Sequence, residues 1–321
     1  MVDSAIGARL AGGLRAWAAR PALVAAVTFV GAFVLQYPAL YMGGVVNSAP
    51  SGQLWLFLDE ATVAYDSARI ASGEVMYRDF FQFQGPVHYH IYAAVFGLFG
   101  RSFFLSRLLF VFTTSVSAAL IAIISLRLLR GRDRTGAMPA AFGAVVAGWL
   151  HTTMFTAFWP CAYPHWTAEA FGLGGLALAT VARPSRRTRI LVGVLWGTSA
   201  WTILSLGFPV LVAGTAAFAL AGLQERDWKK AVRHPLEVGA GALAFSLVVV
   251  AVFAGLGALP ELVYATVIWP VESYGHGQGD VTEYAAYFGS VVNEHAKLGS
   301  PWRLLGRILA EVVRSLPLIA F

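Results

Sequence analysis

Five carboxylates gather in one segment of an otherwise apolar chain, "LWLFLDEATVAYDSARIASGEVMYRDFFQFQGP", which runs from Leu54 to Pro86. A carboxylate within hydrogen-bond reach of a hydroxyl group can accept its proton, so this segment has the residue type that general base catalysis needs. We expect Asp59 to be that base. A structural role stays open, because an aspartate at the start of a helix is also a common N-cap. Asp66 and Glu74 are predicted to face solvent.

Cationic side chains in and after this segment offer sites for an anionic group, since the guanidinium fork matches phosphate oxygens. Arg78 lies in the segment, Arg101 and Arg107 follow it, and Lys297 and Arg303 lie near the carboxyl-terminal end. Arg107 is the preferred candidate because it falls within a predicted membrane span, where a charge is costly to bury. For the other arginines, the alternative is that the side chain reaches from the membrane to its interface.

Histidines in the regions predicted to lie outside the membrane provide a further set of candidates. They are His88, His90, His165, His276 and His295. We take His88 and His165 as candidate substrate-binding residues. Glu272 and His276 are the candidate metal ligands. Their spacing matches no metal-binding motif, so a divalent metal ion stays open as a cofactor.

The elements that must position these side chains are membrane helices. The 321 residues are 58% hydrophobic and 12% charged, whereas soluble domains carry about 25% charged residues. Apolar stretches long enough to cross a hydrocarbon core predict spans at 22–42, 103–126, 137–158, 167–182, 190–205, 207–222 and 236–258. A further span begins near residue 303. The predicted fold class is an all-α polytopic membrane protein, a single transmembrane domain over 1–321 with about seven or eight spans.

Basic residues give the predicted orientation. Four clusters hold 15 of the 23 Lys and Arg residues: 9–20, 127–134, 183–189 and 226–233. The loops between these clusters are poor in basic residues. This distribution follows the positive-inside rule and places the amino terminus in the cytoplasm, in a bacterial-type plasma membrane. The loops 43–102 and 259–302 then lie on the outer face. Because topology explains the basicity, we expect no nucleic-acid partner.

The first outer loop, 43–102, is predicted to contain two short helices beside the membrane. Alanines recur at helical spacing over 61–72, with Asp59 at the start of that helix and Gly73 just after its end. The aromatic segment 87–100 is too short to span and is expected at the interface, where tyrosine is favoured.

Three other features complete the prediction. The apolar run 190–222 is too long for one crossing, and we expect a break at Gly207-Phe208-Pro209, because proline removes an intrahelical hydrogen bond. His151 is expected to bond to a neighbouring helix, with a functional role as the alternative. The single cysteine, Cys161, excludes an internal disulfide framework. The chain ends in "RSLPLIAF", inside what has the composition of another span, which predicts a fragment of a longer protein.

The order of short motifs around the first outer loop resembles that of a known family. After the first span come "DEA", "ASGE", "YRDF", "GP" and "LFGRS", followed by the second span. This order is similar to the polyprenyl-phosphate-sugar-dependent glycosyltransferases of the GT-C fold. Within them it is most similar to family 39, which includes protein O-mannosyltransferases and the aminoarabinose transferases of lipid A. The resemblance covers residues 20–130, and hydropathy alone extends it to about 258.

The resemblance implies a GT-C-like helix bundle, a large first outer loop with short juxtamembrane helices, and a catalytic role for Asp59. It implies Glu60 beside Asp59 and Asp79 as a second acidic residue of the same outer site. Phe83 and Gln84 stand where the aminoarabinose branch has a Glu-Lys pair. Gln84 is therefore a substrate-binding candidate, and the departure argues against a metal ligand there and against an aminoarabinose donor.

The sequence thus predicts an integral-membrane glycosyltransferase that works at the outer face. It would move a hexose or pentose from a polyprenyl-phosphate donor to an acceptor, inverting the anomeric centre, with Asp59 as general base. Whether the acceptor is a lipid, a polysaccharide or a protein stays open. Two alternatives remain: a transporter or flippase of lipid-linked sugars, and a non-catalytic truncated relative of an enzyme.

Overall fold

The computed structural model describes residues 20–40, 54–130, 136–158, 161–181, 183–270 and 272, and most of them lie in helices. Within these residues there is no β-strand, and the only extended pairing is an isolated bridge between Met76 and Phe80. The helices are α1 Pro21–Leu35, α2 Leu54–Ala71, α3 Pro86–Phe99, α4 Phe103–Arg130, α5 Ala137–Phe158, α6 Pro164–Ala179, α7 Arg186–Thr202, α8 Leu204–Gln224, α9 Trp228–Gly255 and α10 Leu259–Val263. A π-helical turn, Tyr264–Ile268, continues α10.

Three of these helices, α4, α8 and α9, are long and apolar enough to cross a membrane by length and composition. Two shorter apolar helices, α1 and the segment Leu259–Ile268, accompany them. The predicted apolar segments from 103 to 258 coincide with α4 to α9 within a few residues at most ends. The prediction of an all-helical protein with membrane-spanning character is therefore confirmed in the described part of the chain.

The helices form two packed groups that share α6. In the first, α4 packs against α1, α5 and α6, and small residues such as Ala122 and Ala144 are buried between them. In the second, α7 packs against α6, α8 and α9, around Val192, Trp196 and Val238. The short helices α2 and α3 pack on each other, and α3 also contacts α4, α6 and α7. These short helices therefore connect the segment rich in carboxylates to both groups.

The contact between α7 and α9 depends on a glycine, and this gives a first testable prediction. A Cβ atom at Gly193 would collide with the backbone carbonyl of Val238 on α9, whereas a Cβ atom at Gly239 on α9 would meet nothing within 4 Å. We expect Gly193→Ala to lower the free energy of unfolding by about 1–3 kcal/mol, the usual cost of overpacking. Gly239→Ala is the matched control, and it should be neutral or stabilising, because alanine is the better helix former. Thermal unfolding in detergent measures both, and equal midpoints for the two variants would contradict this packing.

The apolar run 190–222 is indeed two helices, but the predicted position of the break is wrong. The chain turns at Ile203, which has extended backbone angles, φ −152° and ψ 116°. Pro209 lies inside α8, where it removes a single hydrogen bond without ending the helix. Gly207 has a packing role instead, because a Cβ atom there would collide with the backbone of α7 at Ser199 and Ala200.

The helix that carries the carboxylates is longer than predicted, and this changes the interpretation of Asp59. Helix α2 begins at Leu54, so Asp59 lies inside it and the N-cap interpretation is wrong. The reason is local: the residues between Leu54 and Asp59 include good helix formers and no glycine or proline, so nothing stops the helix from extending toward its amino terminus. Its end is as predicted, since Gly73 follows with φ +96°.

Candidate functional site

Asp59 is a carboxylate that has no hydrogen-bond or ion-pair partner among the described residues. It is partly buried, and no described residue donates a hydrogen bond to it or forms an ion pair with it. Burial raises the pKa of its carboxyl above the ordinary value of 3.8. Its charge in turn helps to raise the pKa of the Tyr89 hydroxyl and of the Cys161 thiol, where burial is the larger cause. Asp59 therefore lies near α3 and the start of α6.

Its neighbour Glu60 is buried and forms a two-pronged ion pair with Arg107 of α4. Arg107 donates from Nε to Oε1 at 2.8 Å and from Nη2 to Oε2 at 3.0 Å. The exposed fraction of the side chain is 6% for Glu60 and 16% for Arg107. The cationic side chain of Arg107 is thus paired, and its Nη1 group has no partner among the described residues. This pair connects α2 to α4 and fixes the direction of the Arg107 guanidinium.

Gln84 lies at the centre of a buried hydrogen-bond network. Its backbone carbonyl accepts from the Tyr77 hydroxyl at 2.7 Å, and its side-chain oxygen accepts from the Tyr89 hydroxyl at 2.6 Å. Its side-chain nitrogen donates to the Tyr163 hydroxyl at 2.7 Å. The network joins the loop before α3, α3 itself and the start of α6. A lysine, which accepts no hydrogen bond, could not take the place of Gln84 here.

Asp66 belongs to the same network, and the prediction that it faces solvent is wrong. It is 6% exposed and accepts a hydrogen bond from Gln82 Nε2 at 3.0 Å. The Gln82 side-chain oxygen accepts in turn from the backbone nitrogen of Gln84 at 3.2 Å. Burial raises the pKa of the Asp66 carboxyl, and the hydrogen bond from Gln82 partly offsets that rise. Glu74 is ion-paired with Arg69 at a partly exposed position.

His88 is fully buried between α3 and α6. Its Nδ1 is 2.8 Å from the Thr167 hydroxyl, its ring centroid is 4.2 Å from that of Tyr92, and its Nε2 has no hydrogen-bond partner in the described residues. Burial lowers its pKa from 6.5 to about 3, with a smaller contribution from His165. His88 is therefore neutral at physiological pH and positions the Tyr92 ring and α6.

This burial predicts a pH dependence of stability. Between pH 6.5 and about 3, the unfolded chain binds a proton at His88 that the folded protein does not bind. Stability must therefore fall as the pH falls through this window. We expect His88→Gln to make the loss of stability between pH 7 and pH 5 smaller than in the wild type. Thermal unfolding at both pH values measures the difference, and an unchanged loss would contradict the buried neutral histidine.

Asp79 and Arg78 lie apart from these residues, in an exposed turn. Arg78 donates to both oxygens of Asp79, at 2.9 and 3.1 Å, and to the backbone carbonyl of Leu256 at 2.9 Å. Asp79 also accepts from the backbone nitrogen of Val75 at 2.7 Å. The hydrogen bonds from Arg78 and then Val75 lower the pKa of its carboxyl to about 2. This geometry ties the turn to the end of α9, and it does not bring either side chain to Asp59.

A cavity of about 750 Å³ opens beside the Gln84 network, at the break between α7 and α8. Most of its lining is apolar, including Phe208 and Val267, and its polar lining includes Gln84, Tyr163 and His165. The His165 ring stacks on Tyr163 with centroids 4.9 Å apart. Tyr163 was not a sequence candidate. It lies in "WPCAYPHW", five residues after the end of the predicted span 137–158 and next to a proline. This context contains no signal beyond that of an interfacial aromatic residue.

No metal site is formed by the described residues, since they contain no group of three His, Cys, Asp or Glu side chains able to hold an ion. Glu272, one of the two predicted ligands, is exposed at the end of the described chain. His276, His295, Lys297 and Arg303 lie outside the described residues.

His151 has a partner that the sequence prediction did not include. Its Nε2 lies 3.3 Å from Oε1 of Glu169, so the two ionisable side chains of α5 and α6 pair across the helix contact. The expectation of a contact with a neighbouring helix is confirmed. The partner, Glu169, lies in the predicted span 167–182 and was not a sequence candidate.

Comparisons with models of protein families, with curated proteins and with solved structures found no match. The site therefore has to be interpreted from its own geometry. That geometry pairs Glu60 with Arg107 and leaves the adjacent Asp59 without a partner among the described residues. The charge of Asp59 acts on Tyr89, which is hydrogen-bonded to Gln84.

Proposed function

We propose that the protein is an integral-membrane glycosyltransferase with a GT-C-like bundle, which takes its sugar from a polyprenyl phosphate. Its amino terminus lies in the cytoplasm, and its site faces the outer side of a bacterial-type plasma membrane. The observation that carries the proposal is a partly buried carboxylate without a partner, Asp59, which directly precedes Glu60, the residue that holds the guanidinium of Arg107 in place. A proton acceptor and a phosphate-binding group are the two parts that this transfer needs.

Asp59 acts as the general base. In the transfer, the oxygen of an acceptor hydroxyl attacks the anomeric carbon of the sugar. The bond between this carbon and the phosphate oxygen breaks, and the hydroxyl proton passes to Asp59. Direct displacement inverts the anomeric centre and needs no separate nucleophile. The raised pKa of the Asp59 carboxyl favours this role, because a base works best when its pKa approaches the working pH.

Arg107 binds the phosphate of the donor. Glu60 occupies its Nε and Nη2 groups, which leaves Nη1 as a donor in a fixed direction. A guanidinium that is already oriented loses less conformational freedom when it binds an oxyanion. Glu60 is on this account a positioning residue, and Asp79 stabilises an exposed turn.

The cavity beside Gln84 suits the apolar part of such a donor. Its mostly apolar lining excludes water and can take an isoprenoid chain, while Gln84, Tyr163 and His165 provide polar groups for the head group. The network from Gln84 through Tyr89 connects this cavity to the neighbourhood of Asp59.

A flippase or transporter of lipid-linked sugars is the second candidate, and one observation favours it. The cavity lies at the break between α7 and α8 and beside the π-helical turn Tyr264–Ile268. Interrupted helices around a cavity are typical of transporters.

One experiment separates the two candidates. The full chain is reconstituted into vesicles that contain a radiolabelled polyprenyl-phosphate hexose and an extract of membrane acceptors. A transferase moves the label to an acceptor, so that it leaves the polyprenyl fraction. A flippase changes the leaflet of the labelled lipid and leaves it intact, and this result would overturn the proposal.

A further inference from the structure

Three guanidinium groups surround one carboxylate where α7 and α9 meet, at the end of the bundle opposite the candidate site along the chain's predicted topology. Arg189 donates from Nε to Oε2 of Glu237 at 2.5 Å, and Arg233 donates to Oε1 at 2.8 Å. Arg186 lies 4.0 Å from Oε1. Arg189 and Glu237 are both buried, so their charges compensate each other inside the protein. Two positive charges remain at the surface.

These two remaining arginines keep most of their hydrogen-bonding capacity. A guanidinium has five N–H donors. Among the described residues, Arg233 uses one of them and Arg186 uses none. Their side chains are 65% and 72% exposed, yet Glu237 holds both on the same side of the helix pair. The result is a pair of neighbouring forks whose geometry suits an oxyanion.

The start of α7 also favours the binding of an anion at this place. Ser185 caps the helix, and Arg186, Arg187 and Arg189 follow in its first turn, with no acidic residue there. Positive charges at the positive end of a helix dipole are destabilising, and an anion at this point would offset both the dipole and the arginines. The acids of the next loop do not supply it, because Glu225 and Asp227 are both paired with Lys230.

We propose that Arg186 and Arg233 form a binding site for the phosphate head group of an anionic phospholipid. The membrane is the source of the ligand, since α9 is a helix able to span it and presents exposed apolar side chains next to the cluster. Leu236 and Leu243 lie one after the other along that face, 66% and 60% exposed, where an acyl chain would lie. Basic pockets between membrane helices are a common way to bind such head groups. This inference is independent of the glycosyltransferase proposal.

The test uses the purified full chain in a neutral detergent, titrated with phosphatidylglycerol, with phosphatidylcholine or with inorganic phosphate. A ligand that binds the folded state raises the unfolding temperature, and its concentration dependence gives an apparent Kd. We expect stabilisation by phosphatidylglycerol alone. Equal stabilisation by phosphatidylcholine would overturn the proposal, and so would equal stabilisation by inorganic phosphate, which would make the ligand a soluble anion.

Two matched variants locate the site. In Arg186→Gln/Arg233→Gln the buried pair of Arg189 and Glu237 is kept, and we expect the apparent Kd for phosphatidylglycerol to rise about 30-fold. Arg226→Gln/Lys229→Gln removes the same charge from two exposed positions around the start of α9 and should change the Kd less than about threefold. An equal loss in both double variants would mean that general surface charge, and no defined site, attracts the lipid.

Discussion

Asp59→Asn is expected to lower the rate of sugar transfer by about 100- to 10,000-fold, the usual contribution of a general base. Asparagine keeps the size of the side chain and removes the group that accepts the proton. The fold should tolerate the change, because no described residue donates a hydrogen bond to Asp59. We expect the variant to be at least as stable as the wild type at neutral pH, since burial already disfavours the charged carboxylate. The measurement is the initial rate of label transfer, together with the unfolding temperature of both proteins.

Glu74→Gln is the matched control, because Glu74 lies in the same outer segment and is paired with Arg69 at a partly exposed position. Its transfer rate should stay within about twofold of the wild type, as exposed ion pairs contribute about 0–1 kcal/mol to stability. A wild-type rate in Asp59→Asn would rule out Asp59 as the base. A large loss in Glu74→Gln as well would show that the assay responds to any disturbance of this segment.

The second large effect is expected at the ion pair of Glu60 and Arg107. Glu60→Gln leaves a buried guanidinium without its carboxylate, and we expect the free energy of unfolding to fall by about 3–5 kcal/mol. Arg107→Gln leaves the opposite charge and should cost a similar amount. It should also raise the KM for the lipid-linked donor, because it removes the proposed phosphate contact.

The double variant Glu60→Gln/Arg107→Gln separates pairing from simple damage. With both charges removed, no uncompensated charge remains, so the double variant should be more stable than either single variant. The wild type, the two single variants and the double variant form a double-mutant cycle. Their unfolding in mixed micelles measures the interaction energy between Glu60 and Arg107. Additive losses in the double variant would mean that the two side chains do not form the pair described here.

Much of the architecture could be predicted because hydropathy alone determines it. The predicted segments from 103 to 258 match α4 to α9, since apolar stretches of this length have few other ways to satisfy their backbone. The end of α2 and the start of α3 were also predictable, because a glycine often follows the last turn of a helix and a proline is favoured at its first position. The break at Ile203 was not predictable in the same way. Its position depends on how closely α7 and α8 pack at Gly207, which is a property of the folded structure.

The charged residues of the candidate site could be predicted from the sequence, whereas most of its ion pairs and hydrogen bonds could not. Asp59, Glu60 and Arg107 are exceptional by type in an apolar chain, so composition directs attention to them. The pairing of Glu60 with Arg107 crosses 47 positions in sequence, and no local pattern encodes it. The same holds for Gln84 and Tyr163, which are 79 positions apart, and for the buried Asp66.

The central claim is that the carboxylate of Asp59 removes the proton during sugar transfer. The pH dependence of the transfer rate tests it most directly, since a base works only when it is deprotonated. We predict that the wild-type rate falls with decreasing pH through a pKa above 3.8, the ordinary value for aspartate, and that the residual rate of Asp59→Asn lacks this limb. A wild-type rate that does not change with pH in this range, or the same acid limb in Asp59→Asn, would contradict the claim.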